Sequence, residues 1–335
     1  KTAMRTLYLT DEGAHVQKNG GRILVCKGAQ ILKDIPVENL ESMVLFGSIQ
    51  ITARTITEFL QHGITLTWLS SRGEFFGRLE STRHVDIHKQ RQQFRMGEKQ
   101  DFCLAVAKNI IDAKVANGIT LLRRYQRTAD NPLVGQSISA MGILNRKLAA
   151  SATTEQMLGV EGSAAQQYFK ALAEIVHDDF RFPGRSRRPP RDPFNSLLSF
   201  GYTLLTYEIY TAIVNAGLHP YAGLLHKDRQ GHPALASDLI EEWRAVIVDS
   251  LVMSMVQRRE IQPDDFLPPA DNGGVYLKRD AAKIFIAAYE KRMAKTNKYG
   301  EREMTFRQLL ENQARLLGKA LLSEDAELYR PIYIR

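Results

Sequence analysis

Cysteine is scarce in this sequence, which has only Cys26 and Cys103 among its 335 residues. Two thiols can neither cross-link a secreted scaffold nor complete a four-thiolate zinc site, so we interpret them as buried side chains in a reducing compartment. No stretch approaches the ~20 apolar residues of a membrane span. No leader with a charged start and an apolar core opens the chain either. These absences predict a cytoplasmic protein without a membrane partner.

The composition is otherwise that of a globular protein with a basic excess. Hydrophobic residues make up 44% and charged residues 24% of the chain, which excludes wholesale disorder. Lysine and arginine exceed aspartate and glutamate by 45 to 37, which favours a polyanionic partner. Residues 181–191 hold five arginines and no acid, whereas acids outnumber bases in residues 192–270. This distribution favours an arginine-rich segment that binds a polyanion, next to an acidic segment that binds a cation. The alternative is a solvated loop followed by helices that happen to be acidic.

The pattern of apolar and turn residues predicts an α+β protein, with a small β-rich N-terminal domain followed by a larger all-α domain. Residues 4–85 contain strand-like runs, separated by turns such as Asn19-Gly20-Gly21, and one helix over residues 52–61. In residues 90–335 apolar residues recur at helical spacing. The predicted helices span residues 90–128, 137–151, 154–177, 195–216, 236–257, 279–297 and 305–322. Lys1–Ala3, before Met4, look like an expression scar or the end of a linker from a fused upstream domain.

The residues that could carry chemistry lie in the helical domain. A glycine-bearing turn presents His226, and the next helix is expected to begin near Ser237, a good N-cap residue. Asp238, Glu241 and Glu242 follow within one helical turn, so carboxylates would stack on one face. The apolar residues of this helix lie on another face, so we expect the carboxylates to border a cleft or solvent.

Glu161 is a further candidate, on a helix that otherwise carries small and apolar residues, where a buried carboxylate needs a partner. Oxygen ligands combined with one imidazole suit Mn²⁺ or Mg²⁺ better than a structural zinc ion. Each candidate taken alone could equally be a structural or solvated side chain. A zinc cluster of His219, His226 and His232 is disfavoured because no thiolate joins it.

Several motifs occur in a characteristic order along the chain. The β-rich domain contains Met-Arg-Thr-Leu-Tyr-Leu-Thr and Glu-Asn-Leu-Glu-Ser-Met-Val-Leu-Phe-Gly. The helical domain contains, in order, Leu-Gly-Val-Glu-Gly, Pro-Phe-Asn-Ser-Leu-Leu-Ser-Phe-Gly-Tyr, Gly-Leu-His-Pro-Tyr-Ala-Gly-Leu-Leu-His and Asp-Leu-Ile-Glu-Glu-Trp-Arg. With these motifs nearly the whole chain resembles the Cas-one family of CRISPR-associated integrases.

The resemblance implies that Glu161, His226 and Glu241 bind one divalent metal, Mn²⁺ or Mg²⁺, and that Asp238 is a nearby acid. The third ligand is the most open assignment, because Asp238, Glu241 and Glu242 lie within one turn. The family's Leu-Lys-Arg-Asp segment matches residues 277–280 and suggests cations near nucleic-acid phosphates, whereas Asn195 is expected to be structural. The residues predicted to bind DNA are Arg181, Arg185, Arg187, Arg188, Arg191, Arg244, Lys278 and Arg279. We expect prolines to keep the arginine-rich segment extended and mobile until it closes over phosphates.

The resemblance also implies an activity and its partners. The expected reaction inserts a short duplex DNA prespacer at the leader-repeat boundary of a CRISPR repeat array, by metal-dependent attack of a 3′-hydroxyl on a phosphodiester. The expected assembly is a homodimer formed through the β-rich domain, bound to a dimer of the small Cas-two protein. A Cas-four nuclease, which could be fused upstream of Lys1, is a further candidate partner. The alternatives are a stand-alone metal-dependent nuclease of branched DNA and a non-enzymatic nucleic-acid-binding scaffold.

Overall fold

A computed structural model describes residues 5–129, 131–186, 189–299 and 302–334. The chain divides into two units, Lys1–Val85 and Asp86–Arg335. Strands dominate the first unit and helices the second, so the α+β class expected from the sequence is confirmed.

The N-terminal unit contains two four-stranded sheets. Its strands are β1 (Arg5–Leu9), β2 (His15–Asn19), β3 (Arg22–Lys27), β4 (Gln30–Pro36), β5 (Leu40–Phe46), β6 (Gln50–Ile51), β7 (Thr65–Leu69) and β8 (Phe75–Leu79). One sheet has the order β1-β5-β7-β8, and the other has the order β4-β3-β2-β6. Helix α1 (Ala53–His62) begins at Thr52, whose side chain accepts from the Thr55 amide, and ends at Gly63 with a left-handed φ of 70°.

The core of this unit joins both sheets to the helix. Val16 and Ile23 of the second sheet, Leu45 and Leu66 of the first, and Phe59 of α1 are all fully buried in one cluster. Strand β7 lies inside its sheet, parallel to β5 and antiparallel to β8. The charge-free run over residues 64–69 is therefore an interior strand and offers no free edge to a partner.

The second unit is built mainly from helices. They are α2 (Ile87–Gly97), α3 (Gln100–Ala129), α4 (Pro132–Ala149), α5 (Thr154–Ile175), α6 (Pro193–Asn215), α7 (Ala234–Leu239), α8 (Ser250–Gln257), α9 (Arg279–Met293) and α10 (Phe306–Ser323). A two-stranded hairpin, β9 (Thr296–Tyr299) and β10 (Arg302–Thr305), precedes α10. By length and composition α6 could cross a membrane, but 61% of its apolar window is buried inside this unit, as in the core helix of a globular domain.

The segment that contains the candidate carboxylates is not one regular helix. Helix α7 begins at Ala234 after Pro233, a 3₁₀ turn spans Ile240–Glu242, and a π-helical stretch spans Arg244–Asp249 before α8. The expectation of a continuous helix over residues 236–257 with its cap at Ser237 is therefore wrong. Each change of winding rotates the following side chains, and π-helical insertions of this kind are frequent at functional sites.

Candidate metal centre

Two of the predicted ligands converge on a lysine. Glu161 lies on α5, Glu241 lies in the 3₁₀ turn, and Lys114 on α3 contacts both of them. The Lys114 ammonium donates to Glu161 Oε1 and lies 2.6 Å from Glu241 Oε2. The side chain of Lys114 is 21% exposed, against 20% for Glu161 and 6% for Glu241. Two carboxylates from separate elements are thus held together around one cationic group.

Glu241 is the more deeply buried carboxylate of this pair. Its Oε1 lies 3.1 Å from Arg244 Nη2, so the group contacts two cations. Burial by itself would raise the pKa of Glu241, but Arg244, Lys114 and His226 outweigh it and bring the pKa to about 2. Glu241 is therefore a carboxylate anion at neutral pH despite its burial.

His226 is oriented by Asp238, which is completely buried. Asp238 Oδ2 accepts from the amides of Leu224 and Leu225 at 2.6 and 3.0 Å. Asp238 Oδ1 accepts from the His226 amide at 2.8 Å and pairs with His226 Nδ1 at 2.7 Å. This hydrogen bond, more than any other influence, raises the pKa of His226. An imidazole that donates from Nδ1 to a carboxylate presents the lone pair of Nε2, as metal-binding histidines do.

The turn before His226 needs glycine at position 223. A Cβ at Gly223 would lie 2.7 Å from the His226 carbonyl oxygen and 2.8 Å from Ala234 Cβ. The backbone of the turn therefore packs directly on α7, which brings its amides within reach of Asp238.

Glu242 faces the opposite way and holds the C-terminal segment. It is completely buried, its Oε1 accepts from the Tyr329 hydroxyl, and its Oε2 accepts from the Ile332 amide at 3.1 Å. Burial raises the pKa of Glu242 to about 7, although these two hydrogen bonds oppose the shift. The three acids of this turn thus have three different sets of partners, and the expectation that their carboxylates share one cleft or solvent face is wrong.

Arg244 is fixed by a buried network behind the carboxylates. Its guanidinium carbon lies 4.8 Å from the centre of the Tyr202 ring. The Tyr202 hydroxyl donates to Asp249 Oδ1 at 2.5 Å, and the Tyr168 hydroxyl donates to Oδ2 at 2.6 Å. Asp249 thereby ties α5 and α6 to the π-helical stretch that follows Glu241. Arg244, predicted to bind DNA, is thus also a counter-ion of a candidate ligand.

The described part of the arginine-rich segment is held in place. Phe182 is buried and stacks on Phe194, with ring centres 4.5 Å apart. Asn195 Oδ1 accepts from Arg185 Nη1 at 2.8 Å, and Asn195 Nδ2 donates to the Gly184 carbonyl at 2.9 Å. These contacts fit a structural Asn195. The aromatic stack and the buried Asn195 amide thus connect these residues to α6, and the mobility expected of the segment stays a prediction.

The remaining cations predicted to bind DNA have different environments. Arg181 is exposed and pairs with Asp178 at 2.8 Å. Arg191 is also exposed and donates from Nη1 to the Asn272 carbonyl at 3.2 Å. Lys278 and Arg279 are exposed at the beginning of α9. Arg187 and Arg188 lie outside the described residues.

The donor set suits a hard divalent cation. Two carboxylates and one imidazole are appropriate ligands for Mn²⁺ or Mg²⁺. Glu241 Oε2 is buried and lies 2.6 Å from the Lys114 ammonium, which also contacts Glu161 Oε1. A position that holds one cationic group between two carboxylates fits a metal cation. As they stand, no three acidic, histidine or cysteine side chains among the described residues converge closely enough to hold an ion, and Lys114 lies between two of the three candidates.

Lys114 and the network of Tyr168, Tyr202 and Asp249 were not predicted from the sequence. Lys114 stands between the buried residues Ala113 and Val115 on α3. A charged residue in such an apolar run is the one signal that could have drawn attention to it.

Comparison with known proteins identifies the family. The family model described as CRISPR associated protein Cas1 matches residues 7–291. The chain belongs to this family. It is 34% identical over 345 residues to the CRISPR-associated endonuclease Cas1 1 of Chlorobaculum tepidum, and the match covers all of both chains. The resemblance deduced from the motifs is therefore confirmed.

Two further relatives show the Cas1 fold in larger proteins. The chain is 35% identical over 328 residues to a CRISPR-associated exonuclease Cas4/endonuclease Cas1 fusion of Geobacter sulfurreducens, which is 95% of this chain and 58% of that protein. A chain of a solved Cas6-RT-Cas1–Cas2 complex superposes with a TM-score of 0.87 and 25% identity. That match covers the whole of this chain and 37% of the other.

Proposed function

We propose that this Cas1 protein is a metal-dependent DNA integrase of CRISPR adaptation. The observation that carries the proposal is the convergence of Glu161 and Glu241 on one cationic group, with His226 held in the same unit by a buried carboxylate. Glu161, His226 and Glu241 would hold Mn²⁺ or Mg²⁺. Such an ion, when bound, polarises a phosphodiester as a Lewis acid and neutralises the charge that develops on it.

The geometry supports a separate role for each acid of the 3₁₀ region. Asp238 uses both oxygens to hold the turn of His226, which supports a role in orienting a ligand over a role as a ligand. Glu242 is committed to the C-terminal segment. Glu241 keeps its negative charge and directs one oxygen at the ammonium that also contacts Glu161, which supports it as the third ligand.

The reaction we propose joins two DNA strands. The 3′-hydroxyl of a prespacer strand attacks a phosphodiester at the leader-repeat boundary; the new phosphodiester forms as the old one breaks, and the departing 3′-oxygen takes up a proton. Most of the catalysis would come from positioning the two reactants and from charge stabilisation. The exposed Arg181, Arg191, Lys278 and Arg279 would contact phosphates and fix the position of the duplex.

The proposed partners follow from the family. We propose a homodimer through the N-terminal unit, bound to a Cas2 dimer and to duplex DNA, with a Cas4 nuclease as a further partner. The Cas1–Cas2 complex and the Cas4/Cas1 fusion among the related proteins support these associations. Sedimentation of the purified chain at micromolar concentration should give a dimer, and a monomer alone would contradict the assembly. We propose a cytoplasmic location, where the DNA substrate of the proposed reaction would be available.

A second candidate function is hydrolysis of branched DNA by the same centre, because the relatives are named endonucleases. A plasmid with a leader and a repeat, incubated with a prespacer, Mn²⁺ and the Cas2 partner, separates the two. Covalent joining of the prespacer 3′ end supports integration, whereas cleavage without joining supports a nuclease. A chain that neither joins nor cleaves DNA with Mn²⁺ would be a nucleic-acid-binding scaffold.

A further inference from the structure

Lys114 occupies the position between two carboxylates that the proposed function assigns to a metal ion. Its ammonium is in contact with Glu161 and lies 2.6 Å from Glu241. Glu161 and Glu241 lie on separate elements, α5 and the 3₁₀ turn, and two carboxylates brought together without a cation repel each other. Lys114 therefore stabilises the arrangement of ligands in the absence of metal.

We propose that Lys114 is a built-in counter-cation, which keeps the two carboxylates in place before a metal binds and must be displaced when it does. The inference rests on the proposed function, since it requires Glu161 and Glu241 to be metal ligands. Lys114 is accordingly a positioning residue that sets the metal affinity of the free protein.

The surroundings of Lys114 allow this exchange. Its side chain is 21% exposed, so the ammonium has a route to solvent, and a lysine has four rotatable bonds by which to take it. Arg244 would not exchange in the same way, because it is packed over the Tyr202 ring and remains paired with the other oxygen of Glu241. One cation is therefore replaceable and the other is fixed.

A metal-binding experiment tests the exchange without measuring DNA chemistry. Free Mn²⁺ is followed by electron paramagnetic resonance while it is titrated into the wild type, Lys114→Met and Lys114→Arg, all free of DNA. Lys108→Met is the matched control, because Lys108 lies on the same helix and its ammonium donates to the Ala149 carbonyl at 3.1 Å. Loss of a charge in contact with two ligands should tighten Mn²⁺ binding by about tenfold or more. Lys114→Arg and Lys108→Met should stay within about threefold of the wild type.

Thermal unfolding gives an independent readout. Metal-free Lys114→Met should unfold at a lower temperature than the wild type, and the rise in that temperature on adding Mn²⁺ should be larger in the variant. Lys114→Gln, which keeps a polar side chain, replaces the methionine variant if that one does not fold. Unchanged or weaker Mn²⁺ binding in the folded variant, with an unchanged metal-induced shift, would overturn the exchange.

Failure of this inference can be told from failure of the metal centre itself. If Glu161→Gln and His226→Ala weaken Mn²⁺ binding while Lys114→Met does not tighten it, the centre stands and the exchange is refuted. If Glu161→Gln and His226→Ala leave Mn²⁺ binding unchanged, the proposed function is refuted and the exchange with it.

Discussion

Replacing Asp238 with asparagine tests how the fold prepares His226 for metal binding. The carboxylate accepts four hydrogen bonds, from the amides of residues 224–226 and from His226 Nδ1. The amide of asparagine has one oxygen, which can serve the Leu224 and Leu225 amides. Its NH₂ group then faces two nitrogens of His226, the backbone amide and Nδ1. The NH₂ group can donate a hydrogen bond to Nδ1 only if Nδ1 has lost its proton.

The consequence is a change of tautomer at modest cost in stability. One partly buried amide, that of His226, loses its acceptor, which costs about 1 kcal/mol of unfolding free energy. The imidazole proton moves from Nδ1 to Nε2, so Nε2 can no longer act as a ligand without losing that proton. We therefore expect Mn²⁺ affinity and strand transfer to fall by about 10–100-fold, as for other residues that orient metal ligands.

Three measurements on Asp238→Asn test the expected changes in tautomer, stability and metal affinity. Nitrogen NMR of His226 reports which ring nitrogen is protonated, urea unfolding gives the stability loss, and a Mn²⁺ titration gives the affinity. The pKa of His226, raised in the wild type mainly by the Asp238 hydrogen bond, should fall. Asp228→Asn is the matched control, because that exposed acid in the same turn accepts only from the Gly223 amide at 3.2 Å in the described structure. An unchanged tautomer with unchanged Mn²⁺ affinity would refute the role of Asp238.

Three other variants probe different parts of the protein. Burial raises the pKa of Glu242 to about 7, so the folded state retains a proton that the unfolded chain releases above pH 4.5. Glu242 therefore stabilises the folded state at low pH, and this contribution is lost as the pH rises through 7. Glu242→Gln should therefore make urea-derived unfolding free energies less dependent on pH between 5 and 8, and an unchanged slope would contradict the assigned burial. Arg187→Ala combined with Arg188→Ala should reduce the slope of the logarithm of the DNA association constant against log salt by about 2, at about 0.9 per phosphate contact. A slope equal to that of the wild type would show that neither arginine contacts a phosphate. Gly223→Ala should unfold at lower urea concentration than the wild type, because its Cβ would meet the His226 carbonyl at 2.7 Å; equal midpoints would show that the turn relaxes freely.

The fold was predictable where local patterns agree with the tertiary structure. Turn residues separated most strands of the N-terminal unit, and helical spacing located α5, α6 and α10 to within a few residues. Strand β4 was not predicted, because its residues are all partly or fully exposed and show no apolar alternation. The pairing of strands into two sheets, with β7 inside one of them, depends on contacts distant in sequence that no local pattern encodes.

The candidate site was predictable only in part. The motifs identified Glu161, His226 and the acids near residue 241, because a resemblance over the whole chain carries information that spacing alone does not. Spacing suggested one shared carboxylate face, whereas the chain changes from α7, which carries Asp238, to a 3₁₀ turn that places Glu241 and Glu242 against different partners. Lys114 itself lies 47 residues before Glu161 in the sequence and still further from Glu241, so its contact with them follows from packing.

Crystals grown with Mn²⁺ and measured at the manganese absorption edge would show where the ion binds. We expect one anomalous peak in each chain, in contact with Glu161, Glu241 and Nε2 of His226, with the Lys114 ammonium displaced from between the carboxylates. A peak that instead contacts Asp238 or Glu242, or a saturated crystal with no peak near Glu161, would contradict this expectation.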